Sequence, residues 1–286
     1  MILIKRAGDL ARWLREQRSA GKQIGFVPTM GALHSGHISL IDISKKAVPV
    51  TVCSIFVNPT QFNDPKDFQK YPITIEKDIY LLEKAGTDVL FLPESAELYP
   101  GGTKGLENYD LGPLEQLLEG KYRPGHFQGV CQVVRRLLDI VQPDHLFMGQ
   151  KDYQQCMVIR RLLEITGSAV LLHPCPIVRE PDGLAMSSRN MRLSEIEREK
   201  ATAIFRALSL IRELNAAAGP GPIPDRAEMI QRASSILEQN DFRIDYVEIA
   251  DPVTLEPVMH WTGQEKVIAL VAAFQGEVRL IDNMIL

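Results

Sequence analysis

Cysteine is scarce and scattered in this 286-residue chain: Cys53, Cys131, Cys156 and Cys175 stand far apart, and none belongs to a Cys-x-x-Cys pair. That spacing argues against a zinc site and against a disulfide framework, so free buried thiols in a reducing compartment are expected. No apolar run approaches membrane-spanning length. The opening Met1-Ile-Leu-Ile-Lys-Arg places its charges after a very short apolar run and passes into an amphipathic stretch from Leu10 to Arg18, which is not the form of a signal peptide. A cytoplasmic protein with no membrane partner is expected. A formal net charge of -4 gives none of the basic excess that nucleic acid or an anionic membrane would attract, so no nucleic-acid partner is expected either. There is no internal repeat and no low-complexity tract.

Apolar runs alternate with helical patterns over most of the chain. Strands are expected at Ile24 to Val27, Val50 to Val57, Asp88 to Leu92, His145 to Met148 and Ala169 to Leu172. Helices are expected from near Ser35, over Thr74 to Ala85, from about Phe127 to Val141 and over Tyr153 to Thr166. Such alternation predicts an α/β fold, a doubly wound parallel sheet over residues 1–175. The pattern changes near residue 176. Ser194-Glu-Ile-Glu197 has the form of a capping box opening a long helix to about Ala218, and Gly219-Pro-Gly-Pro-Ile-Pro224 reads as a linker. A helix over Arg226 to Gln239 and strands over Ile244 to Ala250, Val267 to Phe274 and Glu277 to Ile281 make residues 176–286 a smaller α+β domain, its last two strands a hairpin through Gln275-Gly276.

The chemistry concentrates at strand ends, where doubly wound sheets bind ligands. Ile24-Gly-Phe-Val-Pro-Thr-Met-Gly-Ala-Leu-His-Ser-Gly-His-Ile-Ser-Leu-Ile41 reads as a strand, a turn marked by Pro28 and Gly31, and a helix start. Backbone N–H groups and the positive end of a helix dipole attract anions there. His34 and His37 share one face of the opening turn and suit a cluster of phosphate oxygens; the same pair also suits a metal, or two solvated residues.

Four more segments carry polar groups in positions suited to small anions. Phe56-Val-Asn-Pro-Thr-Gln-Phe62 offers Asn58 and Gln61 as amide partners for a small polyhydroxy acid, or a plain strand-ending turn. In Gly120-Lys-Tyr-Arg-Pro-Gly-His-Phe-Gln-Gly-Val130, Lys121 and Arg123 are cations suited to closing over a phosphate or carboxylate, and His126 reads as a packed, positioning residue. Met148-Gly-Gln-Lys-Asp-Tyr-Gln-Gln155 puts Lys151 where phosphate oxygens are expected and Gln155 one turn later; a solvated Lys-Asp pair is the plainer reading. Asp182-Gly-Leu-Ala-Met-Ser-Ser-Arg-Asn190 is either an anion clamp or a polar loop.

Taken in order, these five strings resemble the motifs of the pantothenate synthetase (pantoate-beta-alanine ligase) family, within the wider HxGH nucleotidyltransferases. The resemblance implies a Rossmann-like doubly wound sheet with a smaller C-terminal α+β domain. It implies ATP-dependent condensation of pantoate with beta-alanine through a pantoyl adenylate, releasing AMP and pyrophosphate. ATP would contact Met30, Gly31, Ala32, Leu33, His34, Ser35, Gly36, His37, Gly149, Gln150, Lys151, Asp152, Val178, Met186, Ser187, Ser188 and Arg189. Pantoate and beta-alanine would contact Gln61, Gln155, Asn58 and Met30, with His37, His34 and Lys151 catalytic. Mg²⁺ would be held mainly by ATP phosphates, since the sequence offers no carboxylate cage and no metal ligand is assigned. A homodimer is implied as well. The chain departs from the pattern at Met148, Ile73 and Gln132, the last two touching the expected pantoate pocket and Mg²⁺ support near Asp78. Two other readings share parts of this machinery: a nucleotidyltransferase moving AMP onto a phosphorylated cofactor precursor, and a non-catalytic nucleotide sensor.

Overall fold

A computed structural model describes residues 1–217, 225–259 and 265–286. The described residues divide into two compact units: Met1–Gln150 with Gln155–Ile177, and Lys151–Gln154 with Val178–Leu286. The segment 218–224, which holds the expected linker and the expected end of the preceding helix, lies outside the described residues.

The first unit is built on a parallel sheet of β1 (Ile2–Ile4), β2 (Ile24–Thr29), β3 (Val50–Ile55), β4 (Val89–Phe91), β5 (His145–Gly149) and β6 (Leu171–Cys175), in the order β1-β4-β3-β2-β5-β6. Both faces are covered, so the central strands are apolar on successive residues rather than alternately. In β2, Ile24 and Phe26 pack into one core and Val27 into the other; in β3, Val50 and Val52 face the first core and Cys53 and Ile55 the second. α1 (Ala7–Ser19) supplies Leu10 and Leu14 to the first core. The opposite core takes Leu40 and Ile41 from α2 (Ser35–Ala47). Two short helices, α3 (Pro65–Gln69) and α5 (Ser95–Leu98), flank α4 (Ile75–Lys84), whose Leu82 enters the same core as α2. A further short one, α6 (Leu118–Tyr122), precedes α7 (His126–Val141), which adds Val134 and Leu137 to the first core. That core also takes Ile159 and Leu162 of α8 (Tyr153–Ile165). Gly25 lets α2 lie directly on β2: a Cβ there would come within 2.3 Å of Ser44 Oγ and 2.7 Å of Val48 Cγ2.

The sequence expectations need correction at several boundaries. Pro28 lies inside β2 rather than in the turn after it. Pairing of β2 with β5 covers only Gly25 and Phe26, so the missing N–H of Pro28 falls beyond that ladder. β6 begins later than expected and contains Pro174, which is tolerated because β6 is an edge strand. β1 and the short helices α3, α5 and α6 have no counterpart among the expected elements.

The second unit centres on an antiparallel sheet, β7 (Phe242–Ala250), β8 (Ile268–Gln275) and β9 (Val278–Ile285), in that order. β8 and β9 form the expected hairpin, with Gly276 at φ 56° supplying the left-handed turn residue. The expected long helix is two, α9 (Glu195–Ala201) and α10 (Ala203–Ala217), separated at Thr202. The hydroxyl of Thr202 donates to Glu199 O at 2.9 Å, a side-chain bond that competes with the helical ladder. Ser194 and Glu197 form the expected capping box of α9. α10 and α11 (Arg226–Glu238) contribute Ile204, Leu208, Met229 and Leu237 to a core shared with Val271 of β8 and Leu280 of β9.

Candidate active site

Successive crossovers from β2 run outward through β3 and β4, whereas β5 pairs on the other side of β2. The strand order therefore reverses between β2 and β5, and a ligand crevice is expected at their carboxyl ends, Thr29 and Gly149. The loop leaving β2 takes two left-handed residues, Gly31 at φ 82° and Ala32 at φ 48°. Such a conformation in a non-glycine costs on the order of 1 kcal/mol and needs outside support. Asp78 of α4 provides it. Its carboxylate is fully buried and accepts from Ala32 N at 2.9 Å and Leu33 N at 2.8 Å, with Thr74 Oγ1 at 3.0 Å. These two N–H groups are thus held by the protein itself, a correction to the expectation that they await a phosphate. Asp78, near which Mg²⁺ support is expected, thus clamps the backbone of the loop.

His34 is the N-cap of α2. Its Nδ1 accepts from Gly36 N at 3.2 Å, and His37 Nδ1 accepts from His34 N at 3.3 Å, a reciprocal cap built from two imidazoles. A ring accepting at Nδ1 carries its proton on Nε2 and is neutral. The two rings lie 4.1 Å apart between centroids. The cap thus fixes two neutral Nε2–H donors in a constant relation, suited to phosphate oxygens that gain charge in a transition state.

Met30, in the same loop, meets Gln61, whose Nε2 lies 3.0 Å from the Met30 sulfur. Asn58 is 1% exposed. Its amide hydrogens go to Gln61 Oε1 at 3.2 Å and Gly129 O at 3.1 Å, and its oxygen accepts from Tyr99 OH at 2.8 Å and Thr60 Oγ1 at 3.2 Å. Both amide hydrogens of Asn58, a residue expected against the substrate, therefore have protein partners here, one of them the Gln61 side chain. His126 is packed as expected, its Nδ1 2.7 Å from Gln61 O. Gly129 permits this approach, because a Cβ would lie 2.3 Å from Thr60 O. Arg123 pairs with buried Glu119 at 3.5 Å instead of standing ready to close over an anion. Gly149 has open space around its missing side chain, and Gln155 is half-buried in the first turn of α8.

In the second unit, Lys151 Nζ lies 3.7 Å from Asp152 Oδ1, and the Lys151 carbonyl accepts from Asn283 Nδ2 at 2.9 Å. Residues 178–186 fold back on themselves: Met186 N donates to Val178 O at 3.0 Å, and Arg179 bridges Ala185. The Val178 carbonyl is therefore already in use. Ser187 follows as the cap of a short 3₁₀ turn (Ser188–Arg192), its Oγ accepting from Arg189 N at 3.2 Å, and Ser188 is buried. Burial pushes the thiols of Cys53 and Cys131 up to about 12 and that of Cys175 up to about 11, so none is a nucleophile near neutrality. Among the described residues, no group of three His, Cys, Asp or Glu side chains is placed to hold a metal ion.

Sequence reasoning missed Tyr99, Asp282 and Asn283. Thr74 and Asp78, four apart on a helix start, carried a faint signal; the tyrosine and the strand residues carried none.

A family model described as pantoate-beta-alanine ligase matches residues 2–285. The pantothenate synthetase of Bacteroides thetaiotaomicron is 44% identical over 284 residues, 99% of this chain and 98% of that protein. Among solved structures, pantothenate synthetase from Thermus thermophilus matches with a TM-score of 0.90 at 41% identity, covering 99% of each chain. Pantoate-beta-alanine ligase from Francisella tularensis, complexed with beta-gamma ATP and beta-alanine, matches with a TM-score of 0.80 at 36% identity, covering 99% of this chain and 97% of that one.

Proposed function

This chain belongs to the pantoate-beta-alanine ligase family, and from that premise we propose how its residues carry out the reaction. The enzyme is a ligase that uses ATP to join pantoate to beta-alanine. A carboxylate oxygen of pantoate attacks the α-phosphorus of ATP, the bond from that phosphorus to the bridging oxygen breaks, and pyrophosphate leaves. The amine of beta-alanine then attacks the carbonyl carbon of the pantoyl adenylate. The carbon–oxygen bond breaks, AMP departs with that oxygen, and the ammonium proton is released.

No side chain forms a covalent intermediate, so orientation and charge stabilisation supply the rate. His34 and His37 donate Nε2–H to phosphate oxygens, and Lys151 adds a compact positive charge. Ser187, Ser188 and Arg189 hold the departing pyrophosphate. Met30 to His37, Gly149 to Asp152, Val178 and Met186 line the nucleotide, while Gln61, Gln155 and Met30 hold the acid and amine, with Asn58 aiming Gln61. Mg²⁺ would be held mainly by the ATP phosphates. None of the described helices is long and apolar enough to cross a membrane. A cytoplasmic homodimer is proposed from the family resemblance.

The observation that carries this reading is the imidazole pair of α2, locked as Nε2 donors in the loop that also brings Met30 to Gln61. The test is ATP consumption with each substrate omitted in turn. AMP and pyrophosphate should form with pantoate, and pantothenate only when beta-alanine is present too. ATP turnover that depends on a phosphorylated acceptor rather than pantoate would overturn it.

A further inference from the structure

Two neighbouring residues of β9, Asp282 and Asn283, lie away from the motif strings, yet each is almost fully buried, at 3% and 2% exposure. The Asp282 carboxylate takes both arms of the Arg179 guanidinium, Nη1 at 2.6 Å and Nη2 at 3.1 Å, and also accepts from Asn283 N at 2.8 Å. Arg179 further donates to Gly183 O at 3.0 Å and Asn283 O at 3.2 Å, and its guanidinium stacks on Phe205 at 4.8 Å. It therefore ties the turn that precedes Ser187, Ser188 and Arg189 to β9. The turn itself has one solution: Gly183 sits at φ 94°, and a Cβ there would meet Phe205 at 2.1 Å. Asn283, meanwhile, donates to the carbonyl of Lys151.

A surface ion pair in this geometry would contribute little. This one is desolvated and bidentate, with the carboxylate almost inaccessible, so removing one partner strands a buried charge. Burial raises the Asp282 carboxyl above its ordinary value, with Arg179 and then the Asn283 N–H pulling against that.

We propose that Asp282 and Asn283 are positioning residues for adenylate formation: one strand fixes the backbone of Lys151 and, through Arg179, the base of the Ser187–Arg189 loop. This rests on the assignment of Lys151 and the serine loop to the ATP phosphates. A cation and a set of hydroxyls that serve one developing charge must hold a fixed spacing, and misplacement by about 1 Å costs on the order of a hundredfold in rate. Two bonds from consecutive residues of a paired strand set such a spacing more rigidly than loop contacts could.

The test uses the full-length enzyme and separates the half-reactions. Pantoate-dependent exchange of pyrophosphate into ATP reads the first; pantothenate formation from preformed pantoyl adenylate and beta-alanine reads the second. Asn283→Ala removes the donor to Lys151, and Arg179→Lys keeps the charge but loses the fork. Each should lower kcat for exchange about tenfold or more, with KM for pantoate within twofold and the second half-reaction unchanged. Asp282→Glu should fall between Arg179→Lys and the parent. The proposal is overturned if both half-reactions fall together in proportion to lost folded protein, or if exchange by Asn283→Ala and Arg179→Lys stays within twofold of the parent. Failure of the underlying assignment looks different: Lys151→Ala would then retain exchange.

Discussion

Replacing His34 by Asn separates the capping job that the imidazole performs from the catalytic job proposed for it. As the N-cap of α2 it accepts from Gly36 N at 3.2 Å through Nδ1, and the same bond leaves the ring proton on Nε2 for a phosphate oxygen. Asn is among the strongest N-cap residues, and its side-chain oxygen reaches the same backbone donors, but it presents no group where Nε2 stood. His34→Asn should therefore keep the stability of the parent and lose the catalytic donor. One such donor contributes about 3 kcal/mol to transition-state stabilisation, on the order of a hundredfold in kcat. His34→Ala loses the donor and the cap; the cap is worth about 1 kcal/mol, or roughly 2–4 °C in Tm for a unit of this size. Initial rates of pantoate-dependent pyrophosphate exchange, with thermal unfolding of the same samples, read both quantities. The expected result is two variants equally slow and unequally stable. Near-parental exchange by His34→Asn, or equal loss of Tm in the two variants, would refute the assignment of the ring nitrogens.

Three further outcomes follow from the same contacts. Asp78→Asn places an amide against Ala32 N or Leu33 N, and the loss of charge-assisted bonds should cost about 1.5–3 kcal/mol and slow turnover without touching a substrate; intact Tm and kcat would contradict the clamp. Gly129→Ala pushes on the Thr60 carbonyl, so KM for pantoate should rise at least tenfold in steady-state kinetics, and an unchanged KM would remove Gln61 from the acid pocket. The thiols of Cys53, Cys131 and Cys175 bind their protons more tightly folded than unfolded, where the pKa is about 8.5. Their contribution to stability is complete below that pH and is lost as pH rises through 11 to 12. Accordingly, iodoacetamide at pH 8 should label none of the three in native protein and all three in urea, by mass spectrometry.

Much of this architecture was legible because it depends on local signals. Apolar runs bounded by Gly and Pro located β2, β3, β5 and the hairpin of β8 with β9, and Ser194 with Glu197 announced α9. What escaped has a physical reason in each case. β1 is three residues long and half-exposed, too short for any periodicity. Pro28 looks like a turn residue until the limited pairing of β2 with β5 is known. The loop after β2 read as a row of waiting N–H donors because sequence does not reveal that Asp78, 46 residues from Ala32, has claimed two of them. Asn58 was legible as polar and near a substrate motif, but its saturation by Gly129 and Tyr99 is a property of packing. The residue types of the candidate site were readable; which of their polar groups the protein itself engages was not.

The central claim, that the enzyme activates the carboxylate of pantoate by adenylation, is tested most directly with pantoate labelled by ¹⁸O in that carboxylate. Turnover with ATP and beta-alanine followed by mass spectrometry of the nucleotide product should find one labelled oxygen in each AMP. Unlabelled AMP, or label recovered in phosphate alongside ADP, would contradict the account.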